Sequence, residues 1–212
     1  MNSIISSYCK IKNNAIWING KELVIDAKEV DLTIFLTGLY RQINMNYPKF
    51  FKMDNLCKLG MLAAELAIRN SVGFDKLEKD KIAITLSNNA SSLDTDRNHL
   101  KTIIDKIQYF PSPAIFVYTL PNIVIGEVAI KHKFAGENAF FVSEEFDAEL
   151  IHNYVSILLN NNDTTAVIGG WVNVDGNEYD AFVYCAEKSN FNLDKEEYKQ
   201  IHSAEAIRQL YN

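Results

Sequence analysis

The sharpest candidate for chemistry in this 212-residue chain is Ser143-Glu144-Glu145, where the short apolar run Ala139–Val142 gives way to two adjacent carboxylates. A sharp strand-to-helix turn can hold a nucleophile, because the N–H groups and dipole of a helix N-terminus stabilise a developing negative charge. The spacing of Leu150, Ile151, Tyr154, Val155 and Leu158 predicts a helix over 145–159, which puts the two acids at its start. Its first turn holds no Ser or Cys nucleophile. Glu144 and Glu145 could serve as general acid and base. Neighbours in a first helical turn point in different directions, however, and the macrodipole favours acids there by some tenths of a kcal/mol. A structural role is the preferred reading.

The other reactive side chains form no constellation. His99, His132 and His152 have no ligand-type partner three or four positions away, so no metal is expected and all three read as surface or core histidines. Cys9, Cys57 and Cys185 stand far apart without CxxC or Cys/His spacing, which argues against structural zinc. An odd count without a disulfide framework fits a reducing cytoplasm, the expected location. Gly169-Gly170 follows a buried strand, but no GxGxxG surrounds the pair and no helix follows. Close packing is therefore preferred over phosphate binding. Residues 87–99, SNNASSLDTDRNH, are rich in hydroxyls and amides and either line a pocket or form a capped loop. None of these residues implies a cofactor.

Patterning gives the elements that must position them. At 48% hydrophobic the chain can bury a substantial core, and its length suits one domain over 1–212. A net charge of −6, with both signs interspersed, leaves no basic face for nucleic acid or an anionic membrane surface. No apolar run approaches a membrane span, and MNSIISSYCKIKNN lacks the apolar centre of a signal peptide. Asn19-Gly20 within 15–27 predicts a type I′ hairpin. Residues 30–51, with Phe35, Tyr40, Tyr47, Phe50 and Phe51, are expected to wrap the core as loop and short helix. Asp54 caps a helix to about Asn70, with Leu56, Leu59, Leu62 and Leu66 at helical spacing.

Next come a buried strand at Lys81–Leu86, a turn at Ser87-Asn88-Asn89, and a helix with Leu100, Ile103, Ile104 and Ile107 that Pro111 and Pro113 break. A further helix runs from Asn122 to about His132. Its internal Gly126, costing roughly 1 kcal/mol relative to Ala, points to close packing. After the elbow helix, a buried strand spans Thr165–Ile168. Glu178–Ala186 pairs with 171–174 through a turn at Asp175-Gly176. Asp194 and Glu197 open a last helix, with Tyr198, Ile201, Ala204, Ile207 and Tyr211 as its apolar stripe. Strands alternating with helices predict an α/β layered fold around a mixed, partly parallel sheet flanked by helices.

Five segments, in order, resemble the N-terminal half of a β-ketoacyl synthase, of the thiolase-like superfamily. DNLCKLGMLAAELA (54–67) resembles the family's early helix, and ITLSNNASSLDTDRNH the strand and loop after it. LPNIVIGEVAIKHKFAGEN resembles the helix before the active site, with Asn122, Gly126 and Gly136 at the family's Asn, Gly and Gly. AFFVSEEFDAELI falls on the nucleophile elbow, and TTAVIGGWVNV resembles the strand that ends in paired glycines. The likeness covers roughly residues 50–175 and implies a thiolase-like layered fold, half of a full ketosynthase.

The departures shape what the resemblance implies. The family's nucleophile is a cysteine at the start of the elbow helix, activated by the helix N-terminus and neighbouring histidines. Here the matching position falls on Glu145, or on Glu144 if the loop at 160–163 carries no gap. The family's two catalytic histidines lie in its C-terminal half, beyond the end of this chain. A carboxylate cannot form the acyl-thioester that condensation needs. The resemblance therefore implies a non-catalytic relative, similar to the chain-length factors that pair with an active synthase in fatty acid, polyketide or aryl polyene synthesis. In the family the strand before the elbow pairs with its twin across a dimer axis. Phe140, Phe141 and Val142 are accordingly the expected interface, in a homodimer or in a heterodimer with an active ketosynthase. Two rivals stand beside this reading. One is an acyl-thioester-processing enzyme with Glu145 as base. The other is an acyl or acyl-carrier-protein binding module, with Lys131 and Lys133 around His132 as the clustered basic candidates.

Overall fold

The computed structural model describes residues 3–25, 31–107, 109–188 and 199–212. The chain opens as an antiparallel meander of β1 (Ser3–Lys12), β2 (Ala15–Ile18) and β3 (Lys21–Glu22). Asn19 and Gly20 both take positive φ, 51° and 81°, as a type I′ turn demands. Next come α1 (Leu32–Gln42) and α2 (Asn55–Arg69). Asp54 caps α2, its carboxylate accepting the Cys57 N–H at 2.9 Å. The chain continues through β4 (Ile82–Asn88), α3 (Leu93–Ile103), α4 (Pro113–Phe116), α5 (Ile123–His132), β5 (Asn138–Val142) and α6 (Ala148–Asn160). It ends with β6 (Ala166–Asp175), β7 (Glu178–Lys188), β8 (Gln200–Ile201) and α7 (Ala204–Tyr211).

The strands form one mixed sheet in the order β3-β2-β1-β7-β6-β4-β5, with β8 beside β1. Among the described residues β4 alone is parallel to both its neighbours, β5 on one side and β6 on the other. Right-handed crossovers explain where the helices lie. The connection from β4 moves one strand outward and carries α5 on one face. The connection from β5 steps back across β4 to β6 and carries α6 on the opposite face. Strand β7 shows the resulting two-sided core. Ala181, Val183 and Cys185 join the cluster under α1, α2 and α5, whereas Phe182, Tyr184 and Ala186 join the one under α6 and α7.

Several boundaries differ from those expected. Helix α6 begins at Ala148, not at Glu145, because Asp147 is its cap and accepts the Leu150 N–H at 3.0 Å. Ser87 and Asn88 still belong to buried β4, and the turn comes after them. Helix α3 stops at Ile103, leaving Ile104 and Ile107 exposed beyond it. The segment expected as loop and short helix contains the three-turn α1. The last helix starts at Ala204 with Ser203 as cap, while Asp194, Glu197 and Tyr198 lie outside the described residues.

The glycines also sort differently. Gly169-Gly170 stands inside β6 rather than at its end. The close packing expected there is real: a Cβ on Gly169 would lie 2.7 Å from Tyr184 Cζ, and one on Gly170 would collide with the Phe182 carbonyl oxygen. Gly126 faces open space instead of a packed neighbour.

Candidate functional site

The elbow sits between the C-terminal ends of β4 and β5. Their connections leave for opposite faces of the sheet, the arrangement that opens a ligand crevice in α/β folds. Here polar bridges span that crevice. Ser143 N–H donates to the Asn88 carbonyl at 2.9 Å, and Asn89 Nδ2 donates to the Glu144 carbonyl at 3.4 Å. Asn88 folds its own loop by accepting Ser91 N–H at 3.0 Å and donating to Ser91 O at 2.8 Å, which holds Ser91 at φ 51°. From β6, Asn173 Oδ1 accepts the Ala90 N–H at 3.1 Å and ties the loop after β4 to the sheet.

Glu144 and Glu145 lie in the exposed connection between Val142 and Asp147, outside the first turn of α6. The acids that face the helix terminus are Asp147 and Glu149 instead. Neither Glu144 nor Glu145 enters an ion pair among the described residues. The following residue, Phe146, turns inward onto Trp171, Phe182 and Tyr211, with ring centroids 6.0, 5.8 and 4.2 Å away. Asp180 fixes two of those rings, accepting Trp171 Nε1–H at 3.2 Å and Tyr211 O–H at 2.7 Å. An aromatic plug thus underlies the elbow.

No activated nucleophile stands there. Ser143 Oγ is buried without a hydrogen-bond partner, so no base takes its proton. Cys9, Cys57 and Cys185 are all buried, and burial pushes each thiol well up from its ordinary value. Thiolate nucleophiles require the opposite shift.

The expected histidines fall in three separate places. His99 lies beside Phe116, 5.4 Å between centroids. His132 reaches Glu65 at 3.1 Å. His152 meets His202, 4.9 Å between ring centroids, beside a cavity of about 220 Å³ that Ser3, Ser156 and Lys188 also line. His202 touches the Tyr184 hydroxyl at 3.2 Å and Ser3 Oγ at 3.4 Å, and burial followed by the charge on His152 lowers its pKa to about 4. Among the described residues no three His, Cys, Asp or Glu side chains gather as metal ligands would.

The 87–99 segment does line cavities. Asp94, Thr95 and Asn98 join Asp54, Ile115 and Tyr118 around one of about 410 Å³. Thr95 Oγ1 donates to Asp54 at 2.6 Å.

Sequence reasoning missed the buried carboxylates on the helices, Glu65 and Glu127. Glu65, on α2, accepts Arg69 Nε and Lys131 Nζ, both at 2.6 Å. Lys131, expected as part of a basic patch, is therefore turned inward. Glu127, on α5, accepts Lys49 Nζ at 2.7 Å and the hydroxyls of Tyr47 and Tyr118 at 3.2 Å. Arg69 stands one helical turn from Glu65, but Lys131 and Lys49 are distant in sequence from the acids they meet.

Strand β5 is the sheet edge on this side. Its hydrogen bonds to β4 begin with Ile84 N–H to Glu137 O at 3.0 Å and end with Ser143 N–H to Asn88 O. The period of two between them turns Ala139 and Phe141 toward β4 and leaves the N–H and C=O groups of Asn138, Phe140 and Val142 at the open edge. The Val142 side chain is 57% exposed, whereas Phe141 packs edge-on against Tyr154, 5.0 Å between centroids.

No protein-family model matches the sequence, and no curated protein matches it. Solved structures do. The ishigamide ketosynthase/chain length factor matches with TM-score 0.66 at 13% identity, over 93% of this chain and 64% of that one. A type II polyketide synthase acyl-carrier protein in complex with its ketosynthase gives 0.67 at 12%, over 92% and 65%. A ketosynthase in complex with its chain length factor from Xenorhabdus doucetiae gives 0.57 at 12%, over 100% and 90%. The fold is ketosynthase-like, of the thiolase type. The chain spans just under two thirds of the first two matched chains and is close to the third in length.

Proposed function

We propose that this protein is a non-catalytic, ketosynthase-fold subunit, similar in role to a chain-length factor in fatty acid, polyketide or aryl polyene synthesis. Its working surface is β5, and its partner is a chain of the same fold. The observation that carries the reading is the open edge itself. Three residues of β5 present unused N–H and C=O groups beside an elbow that holds no thiol. An unpaired strand edge is a ready template for another strand. The match to a chain of nearly equal length from a ketosynthase and chain length factor complex supports the same reading. Acyl-carrier contact belongs to that assembly rather than to a basic patch on this chain, since Lys131 is engaged with Glu65.

Co-purification with a full-length ketosynthase from the same genome tests the reading. The tagged chain should retain the synthase in equal amount, and Val142→Pro, which removes an outward N–H that β4 does not use, should release it. Retention by the proline variant, or none by the wild type, would sink the proposal. Neither the wild type nor Glu145→Gln should turn over malonyl or acyl thioesters.

A further inference from the structure

The edge of β5 is acidic at both ends. Exposed Glu144 and Glu145 follow its C-terminal end, and exposed Glu137 precedes its N-terminal end. The cations near Glu137 are largely engaged. Lys79 Nζ donates to the Asp75 carbonyl at 3.1 Å and lies over the Phe134 ring, and Lys81 pairs with Glu78 at 2.8 Å. Lys133, like Glu137 and Asp80, is exposed.

Consider a second copy docked antiparallel on this edge. The register that pairs all three outward-facing residues sets Phe140 opposite its twin, and the next one toward the elbow sets Phe140 opposite Val142. The first brings Glu137 beside Ser143 and the Glu144-Glu145 bend of the second copy, and the second brings it nearer to Glu145. Directly opposed residues lie about 5 Å apart, where like charges destabilise a pair. Salt does not screen at that range, since the Debye length is about 8 Å at physiological ionic strength. Symmetry imposes the clash at both ends of the ladder.

We propose that β5 receives a different chain, one of the same fold whose facing strand carries Lys or Arg at both ends, and that Glu137, Glu144 and Glu145 reject a second copy of this protein. This rests on the edge-strand reading above and names the partner's chemistry. It also gives the elbow carboxylates a role: they select the partner by attraction and exclude the self-pair by repulsion.

Sedimentation velocity on the purified chain tests it. The wild type should sediment as a monomer at micromolar concentration. Glu144→Lys combined with Glu145→Lys makes the two ends of the edge complementary, and should shift the protein to a dimer. Adding Val142→Pro, or Val142→Glu if the proline variant loses its circular dichroism, should return it to a monomer. A dimeric wild type that Val142→Pro dissociates would overturn the exclusion while leaving the edge reading intact. A double-lysine variant that stays monomeric would also overturn it. A dimer indifferent to position 142 would remove both readings, because association would then run through another surface.

Discussion

Glu65 and Glu145 are the same side chain in opposite settings. Glu65 is 3% exposed, and burial alone would raise its pKa. The close His132 ring and the Lys131 ammonium outweigh burial and hold it at about 2. Its partners come from α5 and from the last turn of its own helix, so it fastens two helices together on one face of the sheet. Glu145 is exposed and enters no ion pair among the described residues. The difference shows that what faces a carboxylate sets its work. The pair at the turn, which looked chemical by position, has no chemical partner. The acid inside an apolar helix, which looked incidental, carries the packing.

Removing Glu65 should produce the largest loss. Glu65→Ala strands Lys131, His132 and Arg69 and should cost about 3 kcal/mol in urea unfolding, the low end for a broken buried pair because Arg69 reaches solvent. The pH dependence follows from the depressed pKa. The unfolded carboxyl titrates near 4.5 and the folded one near 2, so the contribution is complete above 4.5 and disappears as pH falls through 2. The stability gap between wild type and Glu65→Gln should therefore be flat at neutral pH and close on acidification. A gap independent of pH would mean that the ion cluster is not the source of the stability.

His202 sharpens the contrast from the other face of the sheet. Its folded pKa of about 4 lies below the unfolded 6.5, so the unfolded chain takes up the proton first. Stability should be complete above 6.5 and fall as pH drops toward 4, by about 3 kcal/mol. His202→Gln should flatten that window and leave the lower one, due to Glu65, in place. Unfolding midpoints measured across pH 4 to 6.5 separate the two groups.

Much of the architecture was legible because it rests on local chemistry. Asn19-Gly20 dictates its hairpin, Asp54 caps α2, and β-branched runs mark β4 and β6. The α/β class followed from alternation. Helix α6 starts later than the spacing predicts because the Phe146 ring turns down onto Trp171 and Tyr211 and leaves capping to Asp147. Gly169 and Gly170 were placed at a strand end because glycine usually punctuates; here long-range contact with Tyr184 and Phe182 requires them mid-strand. The site was less legible than the fold. Sequence spacing cannot show that Lys131 turns inward to Glu65, that His152 meets His202, or which residues of β5 face outward. Those facts depend on pairings across tens of residues.

The smallest expected effects test the elbow directly. Glu144→Gln and Glu145→Gln should each change stability by no more than about 0.5 kcal/mol, as for exposed acids away from caps and ion pairs. Asp147→Ala, two positions further on, should cost about 1 kcal/mol, because it strands the Leu150 N–H that Asp147 accepts at 3.0 Å. If the acids belonged to the helix start, all three substitutions would weaken α6 alike, and helix content by circular dichroism would fall in each. If they are partner-selecting charges on an open edge, only Asp147→Ala will move the folding transition, and the two glutamine variants will differ from wild type only when another strand is present.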